Sequence, residues 1–377
     1  MELPLLLVSG HSEDCKKNDC HEYSLEEVVN SAKENASIVC APTFGLYAEI
    51  LSKEDDIALF EKKVSDALAA AKKGGGSAVI AAEIGPLGLE FADEEPVKDV
   101  MNYIEAFSCQ AQAAVKGGAE ALFIDDMPGM WMARAAVIGA RQSGLPVYVC
   151  VNIPDSSKTA DGGSILACLI CMQKLGVSGF GLSCKGNMQE LAAAIKGISP
   201  YAKVPLMADI DGAENIDGSI ELLLGAGAGI IRCSRQLALP AAKALENKKG
   251  FYRHEELDKR AEEKILVCDT NDVYFLEEDY TPGPPLECEL EMSDEIINME
   301  AEAVDAILFH IKTFDDADFF GLNCHMTRTA VQILAESAEM LEIALARYCG
   351  CAIVDPLSDV PKEELARIAE AYGGIFF

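Results

Sequence analysis

Several short apolar runs of this chain end on a residue that can do chemistry. Cys184 closes "GFGLSC" and Cys233 closes "GIIRC". Thr43 follows "SIVCA", Glu83 ends "AVIAAE", Asp125 ends "ALFID" and Asp209 ends "VPLMAD". Thiolates are good zinc ligands, and a catalytic zinc keeps its fourth position open for substrate. Carboxylates gathered at the same place, here Glu83 and Asp125, can hold an ammonium group through charge-assisted hydrogen bonds. The competing reading is structural. Free cysteine behaves as a small buried hydrophobe, and this chain has 14 of them.

Which reading holds depends on the elements that carry these residues. β-rich runs occur at residues 4–9, 37–41, 78–83, 121–125, 146–152, 179–183, 204–209 and 229–233, with helix-like stretches between them. In "DDIALFEKKVSDALAAAKKGGG", Ile57, Phe60, Val64 and Leu68 share one helical face, and Gly74 can cap the end. Ser24 and Glu27 form a candidate capping box ahead of the second run. Strands alternating with helices make parallel βαβ units. Eight units in about 250 residues fit a (β/α)8 barrel, and nearly continuous apolar strands fit a sheet buried on both faces. Chemistry in such barrels sits at the C-terminal ends of the strands, where all the residues named above fall. The expected fold is a (β/α)8 barrel over residues 1–250, followed by a small α/β domain over 262–377. In that second part "ILVCD", "DVYFLEE", "DAILFHI" and "CAIVDP" read as strands. "DYTPGPPLECELEMSDE" reads as a loop, and helices are expected around "TRTAVQILAESAEMLEIALARYC" and over 361–372.

The totals exclude other classes. A net charge of −31 over 377 residues repels nucleic acid and anionic membrane surfaces. "MELPLLLVSGHSEDC" has no basic segment and too short an apolar run for a secretory leader, and no stretch reaches the ~18 apolar residues of a membrane span. The reading is a cytoplasmic protein whose cysteines are free thiols or metal ligands rather than disulfides.

Five segments, in order, resemble the homocysteine S-methyltransferase family over about residues 4–248: "IVCAPTFG", "AAEIGPLG", "GGAEALFIDDMPGMWMARAAV", "PVYVCVNIPDSSKTADGGS" and "GFGLSCKGNMQEL". The family includes the homocysteine-binding barrel of cobalamin-dependent methionine synthase. The resemblance implies zinc-dependent methyl transfer to the sulfur of homocysteine or a related thiol, with zinc deprotonating that thiol. It implies zinc ligation by Cys184, an amino-group contact by Asp125, and pocket positions at Glu83, Thr43 and Gly85. The donor implied is a methyl-corrinoid, a methyl-folate or a simpler methyl compound. Residues 250–377 carry no D-x-H-x-x-G cobalamin run, so a corrinoid would arrive on a separate protein. The sequence departs from the family after the eighth run, where "IIRCSRQ" stands for GGCCGT. Cys233 matches one of the paired cysteines only after a slip of one residue. Ile210 stands where the family has Asn, and "VSGHSEDCKKNDCHE" replaces a Gly-rich turn. A third zinc ligand would come from His11, Cys15, Cys20, His21 or Asp209. The alternative is a barrel that has lost zinc catalysis and binds a small molecule or a partner.

Other motifs read mainly as structure. "CLIC" (Cys168, Cys171) lies in an apolar helical run, and "CGC" (Cys349, Cys351) leads into a strand. "GLNCHMTRT" (321–329) echoes the barrel's own GLSC run, with Cys324 and His325 as candidate functional residues. Trp131, the single tryptophan, falls just after the fourth strand, as either substrate wall or packing residue.

Overall fold

The computed structural model describes residues 3–9, 36–44, 54–73, 77–87, 96–155, 157–184, 187–253 and 255–377. Eight parallel strands close into a barrel: β1 (Leu5–Val8), β2 (Ile38–Ala41), β3 (Val79–Ile84), β4 (Ala121–Met127), β5 (Val147–Asn152), β6 (Gly179–Ser183), β7 (Leu206–Asp209) and β8 (Ala228–Cys233). β8 closes on β1 with Leu5 opposite Ile230 and Val8 opposite Cys233. All eight expected strands are present. The surrounding helices are α1 (Glu54–Lys73), α2 (Pro96–Gly117), α3 (Met130–Arg141), α4 (Ile165–Lys174), α5 (Met188–Ile198), α6 (Ile216–Ala226) and α7 (Ala238–Lys248). Side-chain caps fix three of their starts: Ser164, Asn187 and Asn215 accept from the N–H groups of Ala167, Glu190 and Gly218. On α1, Phe60 and Val64 are buried as the helical pattern requires. The candidate caps Ser24, Glu27 and Gly74 lie outside the described residues.

Side-chain parity divides the apolar residues into two layers. Leu5, Leu7, Ile38, Cys40, Ala81, Phe123, Tyr148, Cys150, Met207 and Ile230 fill the barrel interior. Their neighbours of opposite parity, such as Leu6, Val8, Ile80, Ile124, Val149, Leu182 and Ile231, pack outward against the helices. α2 packs against α3. There Gly139 meets α2 so tightly that a Cβ would stand 2.5 Å from the Ile104 carbonyl oxygen and 2.8 Å from the Ser108 nitrogen. Both neighbours are backbone, so Gly139→Ala must push the helices apart. Urea denaturation should show a loss of about 1–3 kcal/mol.

The remaining elements are α8 (Lys259–Glu263), an antiparallel hairpin of β9 (Ile265–Cys268) and β10 (Val273–Leu276), and a parallel sheet in the order β11 (Leu286–Glu287), β12 (Ala306–Ile311), β13 (Ala330–Ala335), β14 (Ile353–Val354). The sheet carries α9 (Ser293–Ala301), α10 (Phe314–Asn323), α11 (Ala338–Arg347) and α12 (Lys362–Tyr372). Two expectations are corrected. The long helix around "TRTAVQILAESAEMLEIALARYC" is a strand followed by a helix. "AVQILA" is buried almost throughout between β12 and β14, and Ser337 then caps α11 by accepting from the Met340 N–H. The acidic "LECELEM" loop contributes β11, a two-residue edge strand. No helix of the described residues is long and apolar enough to cross a membrane.

The barrel and the C-terminal sheet share buried contacts. Arg134 of α3 is 2% exposed. It donates to the carbonyls of Leu345 (2.7 Å), Ala346 (2.9 Å) and Tyr372 (2.8 Å), at the C-terminal ends of α11 and α12. Cys168 and Cys171 are fully buried on α4, as the core reading of "CLIC" requires. In the "CGC" run Cys351 is structural: its backbone pairs with that of Cys268 at 2.8 and 3.3 Å.

Candidate active site at the barrel mouth

The last inward-facing residue of each strand is set by the same parity. β1, β3, β4, β6, β7 and β8 thus deliver Ser9, Glu83, Asp125, Ser183, Asp209 and Arg232 to the C-terminal mouth. Just after Asp125 the strand is irregular. The β4–β5 register shifts between Ile124 and Met127, and Asp126 takes a left-handed φ of 60°. Asp125 keeps the inward parity of Phe123, and the bulge turns the next residue of that parity, Met127, into the outward layer, as bulges re-aim side chains. The Asn152 side-chain amide from β5 holds the Asp126 carboxylate in place.

Arg232 organises the cluster. It is 4% exposed. Its Nη1 donates to Asp209 Oδ2 at 2.7 Å and Asp211 Oδ2 at 2.8 Å, and its Nη2 to Asp125 Oδ2 at 2.7 Å and Ser9 Oγ at 3.2 Å. Ser9 Oγ in turn donates to Glu83 Oε1 at 2.7 Å, and Ser183 Oγ to Asp209 Oδ2 at 2.8 Å. Asp211 also accepts from the Ser234 N–H at 2.7 Å. One planar cation thus satisfies three carboxylates, a task suited to the guanidinium fork and not to an ammonium. The carboxylates hold the Arg232 guanidinium protonated against its burial. Burial, together with Asp209, raises the Asp211 carboxyl above its ordinary value, so it holds its proton more readily than a free carboxyl. Below this layer, burial and the nearby carboxylates push the thiols of Cys40 and Cys150 well above their usual range, which leaves them neutral packing groups.

The expected site residues are distributed unevenly around this cluster. Asp125 reaches the mouth, but its Oδ2 is engaged by Arg232 and its Oδ1 accepts from the Asp126 N–H at 2.8 Å. An ammonium group there would have to share these oxygens. Glu83 is fully buried at the same mouth. Thr43 bridges β2 and β3: its Oγ1 donates to the Glu83 carbonyl at 2.8 Å and accepts from the Glu83 N–H at 2.9 Å. Gly85 sits directly beneath the Phe44 ring, where a Cβ would stand 2.7 Å from the ring. Cys184 directly follows β6 with the parity of Leu182, packs in the same outward layer, and is 4% exposed. Burial and the charge of Glu190 raise its thiol, against the Asn187 N–H directed at the sulfur. Cys233 requires a correction. It has the parity of Ile231, not of Arg232, and belongs to the layer packed outward against the helices. Burial pushes its thiol far above the usual range.

The described residues do not fit a three-thiolate zinc site. Among them, no three histidine, cysteine or carboxylate side chains are arranged to hold a metal ion. At the positions after β8, the Ser234 N–H is bound to Asp211 and the Arg235 Nη2 donates to the Cys40 carbonyl at 3.3 Å. The candidate ligands His11, Cys15, Cys20 and His21 lie outside the described residues. Sequence reasoning passed over Arg232, Asp211 and Ser183, and noted Ser9 only as the end of the first strand. A signal for Arg232 was available: arginine is almost never fully buried unless paired, yet "GIIRC" places one inside a strand buried on both faces.

A closed parallel barrel with its polar groups collected at the C-terminal rim defines the architecture of (β/α)8 enzymes. The chain belongs to the homocysteine S-methyltransferase family, whose sequence pattern matches residues 30–224. The methionine synthase of Mycobacterium leprae (strain TN) is 29% identical over 108 residues, and that of Mycobacterium tuberculosis (strain ATCC 25618 / H37Rv) is 26% identical over 108. Each match covers 27% of this chain and only 9% of the methionine synthase. The homocysteine methyltransferase MmuM from Escherichia coli, in its apo form, superposes with a TM-score of 0.51 at 15% identity, over 66% of this chain and 97% of MmuM. Its metallated form gives the same score over 65% and 96%. At that identity the likeness is one of fold.

Proposed function

We propose that the barrel transfers a methyl group to the sulfur of homocysteine or a related thiol amino acid bound at the C-terminal mouth. Family membership over residues 30–224 carries this reading. The substrate would lie over the Arg232 cluster, its ammonium end toward the carboxylates of Asp125 and Glu83, with Thr43 and Gly85 around it. The carboxylates outnumber the one guanidinium they bind, so the mouth favours a cationic group. The family's zinc enters no step here, because the described residues do not make its ligand set. In the same reading residues 1–250 are the catalytic unit, residues 262–377 are a second unit docked on it, and the methyl donor is a small molecule or a separate methyl-corrinoid or methyl-folate carrier.

The test is incubation of the purified full chain with L-homocysteine and, in turn, methylcobalamin, methyltetrahydrofolate, betaine and S-methylmethionine, with methionine read by mass spectrometry. Methionine formed above the enzyme-free rate from one donor is the expected result. One observation favours a second reading, binding without catalysis: Arg232 holds a permanent charge on β8 immediately before the positions of the family's paired cysteines. Saturable homocysteine binding with no methionine from any donor would establish that reading. Neither binding nor turnover would contradict both.

A further inference from the structure

A cavity of about 230 Å³ lies between the first turn of α3 and the C-terminal sheet, with no residue of the Arg232 cluster in its lining. Its walls include Trp131, Asp269, Cys324, His325, Arg347 and Cys349, so it gathers much of the "GLNCH" motif that the barrel chemistry leaves unused. Trp131 is half-buried and held edge-on by Tyr103, with ring centroids 4.8 Å apart. Arg347 ends α11, and its side chain is 12% exposed. It forms an ion pair with Asp318 of α10 through Nη1, and its Nε and Nη1 are both buried with no hydrogen-bond partner among the described residues. Those two nitrogens have almost no open surface, so a ligand in the cavity meets the guanidinium through its remaining nitrogen, Nη2. The Asp269 carboxylate is already engaged by the N–H groups of Asn271 and Asp272 and by the Tyr274 hydroxyl. Burial pushes the thiols of Cys324 and Cys349 up to about 12. Both are neutral at pH 7, which makes the cavity a binding site and not a nucleophilic one.

We propose that this cavity binds a planar anionic small molecule, a ring bearing a carboxylate or phosphate, with the ring against Trp131 and the anion on Arg347 beside His325. Guanidinium is well matched to either anion, and the volume suits a single ring system. Trp131 follows β4, the strand that carries Asp125, so the ligand would sit beside the rim of the barrel.

Trp131 is the only tryptophan, so its fluorescence reports on this cavity directly. The full chain is titrated with nicotinate and with phenyl phosphate, using nicotinamide and inorganic phosphate as controls lacking the charge or the ring. The expected result is saturable quenching by one of the two ring anions, binding that anion at least about tenfold more tightly than its control, and a loss of at least about tenfold in Arg347→Gln. No saturable change with either ring anion, or unchanged affinity in a folded Arg347→Gln, overturns the proposal. If Arg347→Gln does not fold, the wild type decides. Equal affinity for nicotinate and nicotinamide and for phenyl phosphate and inorganic phosphate overturns it, and the tenfold preference sustains it.

Discussion

Arg232→Met should unfold at markedly lower denaturant, with a loss of about 3–5 kcal/mol. The substitution keeps an unbranched but shorter side chain and removes the one cation shared by Asp125, Asp209 and Asp211, all of which are at most 8% exposed. Carboxylates that lose a buried partner keep their desolvation cost without the compensating attraction. Arg232→Lys should lose less than Arg232→Met but not recover the wild-type value, because an ammonium restores the charge and not the fork that reaches both sides of the mouth. Removing a carboxylate as well, in Arg232→Met with Asp209→Asn, should cost less than the two single losses added together, the mark of coupled groups. Urea or guanidinium unfolding of the wild type and the four variants, Asp209→Asn alone included, measures all of this. A loss below about 1 kcal/mol for Arg232→Met would place these carboxylates in a well-solvated environment, like that of exposed ion pairs.

Arg134→Ala should detach the C-terminal sheet from the barrel before the barrel itself unfolds. The last carbonyls of a helix have no partner within it, and Arg134 supplies donors to those of α11 and α12 at once. Hydrogen bonds to a charged group contribute about 1.5–3 kcal/mol each and are not additive. A loss of about 3 kcal/mol is expected, concentrated in residues of α11, α12 and the sheet. Amide hydrogen exchange should show protection lost there while β3 to β8 stay protected. Arg134→Lys should recover part of it. Uniform loss of protection across both parts would mean that they unfold as one cooperative unit whatever the state of this contact.

The barrel was legible because its signal is redundant: eight apolar runs, each followed by a helical pattern, leave little choice of architecture. The C-terminal sheet was harder to read. "AVQILAESAEML" contains a buried strand and an amphipathic helix with only Ser337 to mark the junction, and a short apolar run does not announce its own geometry. The mouth was half legible. Being last in a strand identified Asp125, Glu83 and Asp209, but it does not say which way a side chain faces. Period two does: counting inward positions from Ile230 selects Arg232 and excludes Cys233. Residue type drew attention to the cysteine, while parity gave the interior to its neighbour. What Asp125 would bind was not legible at all, since its partner comes from a strand 107 residues further along.

The most direct test of the central claim is a crystal structure of the full chain grown with saturating L-homocysteine. The account predicts the amino acid at the C-terminal mouth, its ammonium group within hydrogen-bonding distance of the carboxylates around Arg232. A mouth left empty at saturating ligand, or homocysteine bound only elsewhere on the chain, would contradict it.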